Sequence, residues 1–236
     1  KMKDAEMLGF YSTKFPTVEI NNTFYRMPKE ELLRHWAEQV PADFSFSIKA
    51  SQRITHFTRL KEESFDAADY LLRVVGTMGA KLGPILFQLP PSYRYTKIRL
   101  NDIVSQLDPA RRNVVEFRHV SWCNEEVYRA FREAGIIFCS CSGPRLPDEL
   151  VRTADEVYVR LHGPKRWYRH DYSNEELAIW ADRIKASGAT RAWVYFNNDN
   201  DAHAPKNATT LRRMLGRSLP GVKPAVGTLP ISHTFL

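Results

Sequence analysis

Glu116, Arg118, His119 and Trp122 crowd into one short stretch, Val115-Glu-Phe-Arg-His-Val-Ser-Trp. A carboxylate, a guanidinium and an imidazole two and three residues apart can hold an anion and move a proton. A second stretch, Arg160-Leu-His-Gly, repeats the arrangement, with Gly163 free to let a backbone or ligand come close. Arg160 could grip a carboxylate or phosphate through two parallel N–H bonds. His162, with an ordinary pKa of about 6.5, could serve as acid or base. Further along, Asn197-Asn198-Asp199 offers amides that orient a ligand, while Asp199 and Asn200 read as helix caps. Lys49, Thr55-His56, Gln88, Glu19 and Asn21 complete the polar set, and Tyr25, Trp122, Tyr158 and Tyr195 could stack on a sugar or base.

These groups act together only if the chain brings them together. Successive side chains on a strand face opposite sides. In Val18-Glu-Ile-Asn-Asn-Thr-Phe24, Glu19, Asn21 and Thr23 then share one face and Val18, Ile20 and Phe24 the other. Phe44–Lys49, Val115–Arg118, Val157–His162 and Val194–Asn197 alternate in the same way. Glu116 and Arg118 are as well explained as a buried ion pair, with each other or with Lys49 and Arg160, and His162 as a hydrogen-bonded structural histidine. Glu116 in particular must have a cationic partner if it is enclosed, because an unpaired buried carboxylate costs several kcal/mol.

The spacing places strands at 17–24, 43–50, 84–89, 113–119, 136–141, 156–162 and 191–197. Helices fall at 4–14, 29–39, 64–78, 99–107, 124–134, 174–187 and 205–216. Ser173 with Glu176 forms a capping-box pattern, and Gly135 stands where a helix ends. A Pro-rich loop covers 143–149. Strands alternating with helices imply an α/β fold with a parallel sheet. Polar inner faces favour a TIM-type β/α barrel over an open doubly wound sheet, whose central strands are apolar on both faces. Seven strands are one short of eight, and the missing one is expected first, upstream of Lys1. Residues 1–217 form the single barrel domain and 218–236 an irregular tail.

The chain has 236 residues, a net charge of +7 and a pI near 9.3. A basic balance favours anionic partners, either a small phosphorylated ligand or nucleic acid. No apolar run is long enough for a membrane helix, and the N-terminus has no signal-peptide core. Cys123, Cys139 and Cys141 make no disulfide framework, and reduced thiols point to the cytoplasm. No spacing indicates a metal, although Glu19, Glu116, His162 and Asp199 could converge on a cation. Cofactor need is left open. Gly-x-Gly-x-x-Gly and phosphate-loop signatures are absent.

Five motifs resemble the YecE-like family, a domain of unknown function. They are Phe15-x-x-Val-Glu-Ile-Asn-x-x-Phe-Tyr, Gly83-Pro-x-Leu-x-Gln-Leu-Pro-Pro, Val115-Glu-Phe-Arg-His-x-Ser-Trp, Tyr158-x-Arg-x-His-Gly and Phe196-Asn-Asn. The resemblance covers residues 10–215 and implies a TIM-type barrel similar to those of sugar isomerases and metal-dependent apurinic endonucleases. That family opens with a strand carrying Gly-Thr-Ser-Gly-Trp, which this chain lacks.

The residues expected at the C-terminal mouth fall into two groups. Glu116, His162 and Glu19 are the candidates for proton transfer or glycosidic chemistry. Asn21, Lys49, His56, Gln88, Arg118, His119, Trp122, Arg160, Tyr195, Asn197 and Asn198 are the candidate ligand contacts. A hydrolase of a phosphoester or glycosidic bond is the leading expectation. A nucleic-acid-binding protein without catalysis, or a scaffold with a fully paired lumen, are the alternatives.

Overall fold

A computed structural model describes residues 4–216 and 223–228. Among the described residues, eight strands follow one another in space as they do in sequence, and all seven neighbouring pairs are parallel. They are β1 (Thr17–Ile20), β2 (Ser45–Lys49), β3 (Leu82–Gln88), β4 (Asn113–Glu116), β5 (Ile137–Ser142), β6 (Glu156–Leu161), β7 (Arg191–Phe196) and β8 (Lys223–Thr228). β8 pairs with β7 and lies beside β1, so the sheet curls into a barrel. The helices are α1 (Asp4–Ser12), α2 (Asn22–Tyr25), α3 (Glu30–Glu38), α4 (Phe65–Gly76), α5 (Lys97–Gln106), α6 (Glu125–Ala134), α7 (Asn174–Ala186) and α8 (His203–Gly216). Among the described residues, no helix is long and apolar enough to cross a membrane.

Two expectations change. Lys223–Thr228, within the stretch expected to be an irregular tail, forms a strand that pairs with β7 and lies near β1. Pro224 and Gly227 hid it, because both residues weaken a strand pattern. The rest of that stretch lies outside the described residues. The first strand is also shorter than expected. After Ile20 the chain enters the single helical turn α2, so Thr23 leaves the strand alternation. Its hydroxyl donates to the Ile20 and Lys49 carbonyls instead.

Outward residues seal the sheet to its helices. Val18, Ile48, Ile85, Phe87 and Val115 pack with Leu33, Leu71, Ile103 and Phe131. Val157, Val159, Val194 and Phe196 pack with Leu177, Trp180 and Leu211. Inside, Leu86, Val114, Ile137, Cys139, Tyr158, Trp193 and Tyr195 fill the lower lumen, so the barrel is plugged and not a pore. This filling lifts the polar inward groups toward the C-terminal ends of the strands. The capping box at Ser173–Glu176 and the left-handed Gly135 (φ 67°) end their helices as the sequence implies. β5 and β6 are joined by loop 143–155 without a helix, which leaves that side of the mouth to loops.

Candidate functional site

The inward phase of four strands builds a ladder of charge above the apolar plug. Tyr158 Oη donates to Glu19 Oε2 at 2.5 Å and shares a 2.7 Å bond with Ser47 Oγ. Arg160 bridges the two carboxylates, with Nη2 to Glu19 Oε1 at 2.7 Å and Nη1 to Glu116 Oε2 at 2.6 Å. Arg118 Nε pairs with the other oxygen, Glu116 Oε1. Glu19, Glu116 and Arg160 are buried, and Arg118 nearly so. Removing four charges from water costs several kcal/mol per ion, which these contacts must offset. Burial pushes the Glu116 carboxyl up, but Arg118, Arg160 and Lys49 pull harder and hold it below the usual range. Burial likewise works against the Arg160 charge, and Glu116 and Glu19 outweigh it.

His162 is buried beside this ladder. Burial, then Arg118, Arg160 and Lys49, hold its pKa well below the ordinary value, so the ring is neutral. Arg118 Nη2 lies 3.2 Å from Nε2 and can only donate, so Nε2 accepts and Nδ1 carries the hydrogen. The Asn197 amide, whose Nδ2 is placed 3.0 Å from Nδ1, must then turn its oxygen toward that N–H. Trp167 and Tyr168 meet the His162 ring edge-on, with centroids at 5.2 and 5.9 Å.

A cavity of about 340 Å³ opens above the ladder. It is lined by Asn21, Tyr25, Lys49, Gln88, Arg118, Arg160, Tyr168, Asn197 and Asp199. Its size suits a small ligand. Beside it, and sharing Gln88, Arg118 and Tyr168, lies a cleft of about 910 Å³ lined also by Arg145, Lys165, Arg166, Trp167 and Arg169. Trp167 lies over the Arg118 guanidinium at 4.4 Å. The loop that carries it depends on two glycines. A Cβ at Gly143 would come within 2.8 Å of the Trp167 ring. Gly163, at φ +108°, would set a Cβ 2.5 Å from the Arg166 carbonyl.

The structure therefore sorts the expected residues. Asn21, Lys49, Gln88, Arg118, Arg160 and Asn197 meet at the cavity. The three proton-transfer candidates sit one layer below it. Both oxygens of Glu116 are held by arginines, Glu19 is held by Arg160 and Tyr158, and His162 has Nε2 engaged. Five expected ligand contacts serve structure instead. Trp122 is buried against Phe117 and Tyr93 and donates to the Tyr93 carbonyl. Tyr195 is deep in the lumen, bonded to Thr17 Oγ1 at 2.7 Å. His119 Nδ1 caps the turn at Ser121. Asn198 ties the His170 carbonyl to Asn207 under the mouth. His56 bonds Thr55 and props the Phe24 ring.

Tyr168 and Asp199 also line the cavity, and neither is among the expected ligand contacts. Asp199 occupies the expected cap position, yet its side chain makes no cap hydrogen bond, and burial raises its pKa to about 6. The run Lys165-Arg-Trp-Tyr-Arg-His just after Gly163 was the signal for the cleft, since interleaved basic and aromatic residues mark anion-binding loops.

Among the described residues, one group of three could offer a metal ligand set. It comprises Glu116, Cys141 and His162, with donor atoms within 4.8 Å of one another. Guanidinium groups already occupy both Glu116 oxygens and His162 Nε2, so the set does not fit a divalent cation. Cys139 and Cys141 are free thiols facing the lumen, their sulfurs 3.7 Å apart.

Known proteins share this architecture. YunF, a UPF0759 protein of Bacillus subtilis, is 27% identical, with 95% of this chain and 92% of the relative aligned. YecE, a UPF0759 protein of Escherichia coli, is 22% identical over 92% of this chain and 89% of its own length. The crystal structure of a DUF72 family protein from Thermotoga maritima superposes with a TM-score of 0.81 and 26% identity, covering 91% of each chain. One from Enterococcus faecalis gives a TM-score of 0.80 at 20% identity, over 92% of this chain and 90% of that one. The family model described as "Protein of unknown function DUF72" matches residues 1–229, and this chain belongs to that family.

Proposed function

We propose that the chain binds an anionic ligand, phosphorylated or nucleic-acid-derived, across the barrel mouth and the adjoining cleft. One observation carries this reading. In the ladder two carboxylates, Glu19 and Glu116, offset two guanidiniums, Arg118 and Arg160, which leaves Lys49 and one carboxyl, Asp199, as the other charged groups lining the cavity. The adjoining cleft adds Arg145, Lys165, Arg166 and Arg169 to its lining and no carboxylate. Low-dielectric walls around one sign of charge concentrate oppositely charged ligands. Tyr25, Trp167 and Tyr168 supply faces for a sugar or base.

Hydrolysis of a glycosidic bond by Glu19 and Glu116 loses its support, because neither carboxylate has a free oxygen or reaches the cavity. A phosphoester hydrolase would have to draw on Asp199, the carboxylate that lines the cavity. Three reduced thiols accord with a cytoplasmic setting for either ligand class.

Calorimetric titration with inorganic phosphate, a nucleoside monophosphate and a short single-stranded oligonucleotide tests the proposal. Saturable binding is expected, weakening as salt rises. Arg118→Met should weaken it at least tenfold, about 1.4 kcal/mol. Tighter binding of the oligonucleotide than of the monophosphate favours nucleic acid. No saturable heat with any of the three would sink the reading.

A further inference from the structure

Lys49 differs from the two arginines that share its cavity, Arg118 and Arg160, which are both paired with Glu116. It ends β2 and lines the 340 Å³ cavity. Among the described residues no carboxylate pairs with it and no hydrogen bond is made by its Nζ. Its one contact of note is the Phe24 ring, 4.2 Å away. The groups that face it come from several elements. Arg160 on β6 and Arg118 after β4 oppose its charge, while Glu116 and Glu19 favour it. Those two carboxylates are already spent on the arginines. His56, in the turn after β2, is another neighbour, and its own pKa is lowered by burial and by Lys49. Asp199 lines the same cavity from beyond β7.

An ammonium in that setting gains little by staying charged. Burial first, then Arg160, lower its pKa to about 8. Desolvation beside other cations is the recognised route by which a lysine becomes a nucleophile at neutral pH. A lysine meant only to hold a phosphate needs no such depression.

We propose that Lys49 is a catalytic nucleophile that forms an imine with the carbonyl carbon of a phosphorylated aldehyde or ketone. This rests on the anionic-ligand reading and names its substrate class. The neutral Nζ adds to the carbonyl carbon, and the C=O π pair moves to oxygen, which takes up a proton. The nitrogen loses a proton to give the neutral carbinolamine. Its hydroxyl then leaves as water when protonated, and the nitrogen lone pair closes the C=N bond. Asp199, with a pKa of about 6 and no cap bond, is the cavity carboxyl placed to relay these protons. Arg118, shared by the cavity and the cleft, holds the phosphate. No oxidant or further reactant is required.

The test uses the whole chain with pyridoxal 5′-phosphate as the probe, below one equivalent, at pH 8. Sodium cyanoborohydride traps the imine, and peptide mass mapping locates it. At that pH an amine of pKa 8 is half free, about a hundredfold more than an ordinary lysine. Lower intrinsic nucleophilicity takes back part of this gain, so labelling of Lys49 at least about tenfold above the median lysine is expected. Inorganic phosphate should protect it, and Lys49→Arg, which keeps the charge, should abolish the dominant adduct without lowering Tm. Label spread over exposed lysines with Lys49 unmodified overturns the proposal. If phosphate binds saturably in calorimetry while Lys49 stays unlabelled, the nucleophile fails and the anion reading stands. If the neutral aldehyde propanal labels Lys49 equally well and phosphate neither binds nor protects, the nucleophile stands and the anion reading fails.

Discussion

Glu116 has two oxygens, and each meets a guanidinium inside the barrel. A glutamine at 116 keeps the shape but turns an N–H₂ toward one arginine and removes the compensating charge. Glu116→Gln is therefore expected to lose about 3–5 kcal/mol in chemical denaturation, the scale for breaking a buried pair. A loss below about 1 kcal/mol would return Glu116 to the catalytic candidates. Asp199 shows the opposite balance. Its folded pKa of about 6 lies above the ordinary 3.8, so the folded state binds that proton more tightly than the unfolded chain does. The carboxylate thus costs stability above pH 6, and the cost fades as pH falls from 6 toward 4. Asp199→Asn should gain about 1–2 kcal/mol in urea melts at pH 7.5 and nothing near pH 4. An equal effect at both pH values would refute the assignment. The period-2 phase of the sequence told which side chains point inward, and Glu19, Lys49, Glu116, Arg118, Arg160, His162 and Asn197 meet there. It could not tell how high along the barrel each one sits. Tyr195 and Asn197 share a phase, yet one closes the lumen floor and the other reaches the mouth.

Loop 163–172 is the element that joins the cavity to the cleft, and one backbone position fixes its path. Gly163 adopts φ +108° with no room for a Cβ, since the Arg166 carbonyl and the His170 Cβ would stand 2.5 and 2.7 Å away. Gly163→Ala must move the segment bearing Trp167 and Tyr168. A loss of about 2 kcal/mol is expected from strain of this kind, with a change in Trp167 fluorescence. Thermal melting checks the first part, and a Tm within about 1 °C of wild type would contradict it. Most helices were legible because their ends carry chemical signals, such as Ser173 with Glu176 and Gly135. Loop conformation was not, because Tyr168 takes a positive φ of 70° that no residue pattern announces. The basic-aromatic run 165–170 named the cleft's chemistry but not its place beside Arg118.

At the scale of the whole molecule, closure of the barrel decides whether the buried charges stay buried. β1 and β7 are far apart in sequence order, and β8 lies between them, running parallel to β7 from Arg191↔Lys223 to Phe196↔Thr228. Glu19 reaches Arg160 across the lumen from β1 to β6, so the ladder spans the side that β8 closes. Thr17 and Tyr195 are joined near the same seam. A chain ending at 216 would leave the whole N–H and C=O row of β7 unpaired on one side, and an open strand edge templates association with other chains. Water admitted at the seam would also weaken the attraction between Glu19 and Arg160, because the effective dielectric rises. Truncation after Gly216 should therefore give aggregates in size-exclusion chromatography and a broadened thermal transition. A monodisperse 1–216 chain that melts cooperatively at the wild-type Tm would show that seven strands suffice and that β8 has no part in holding the site.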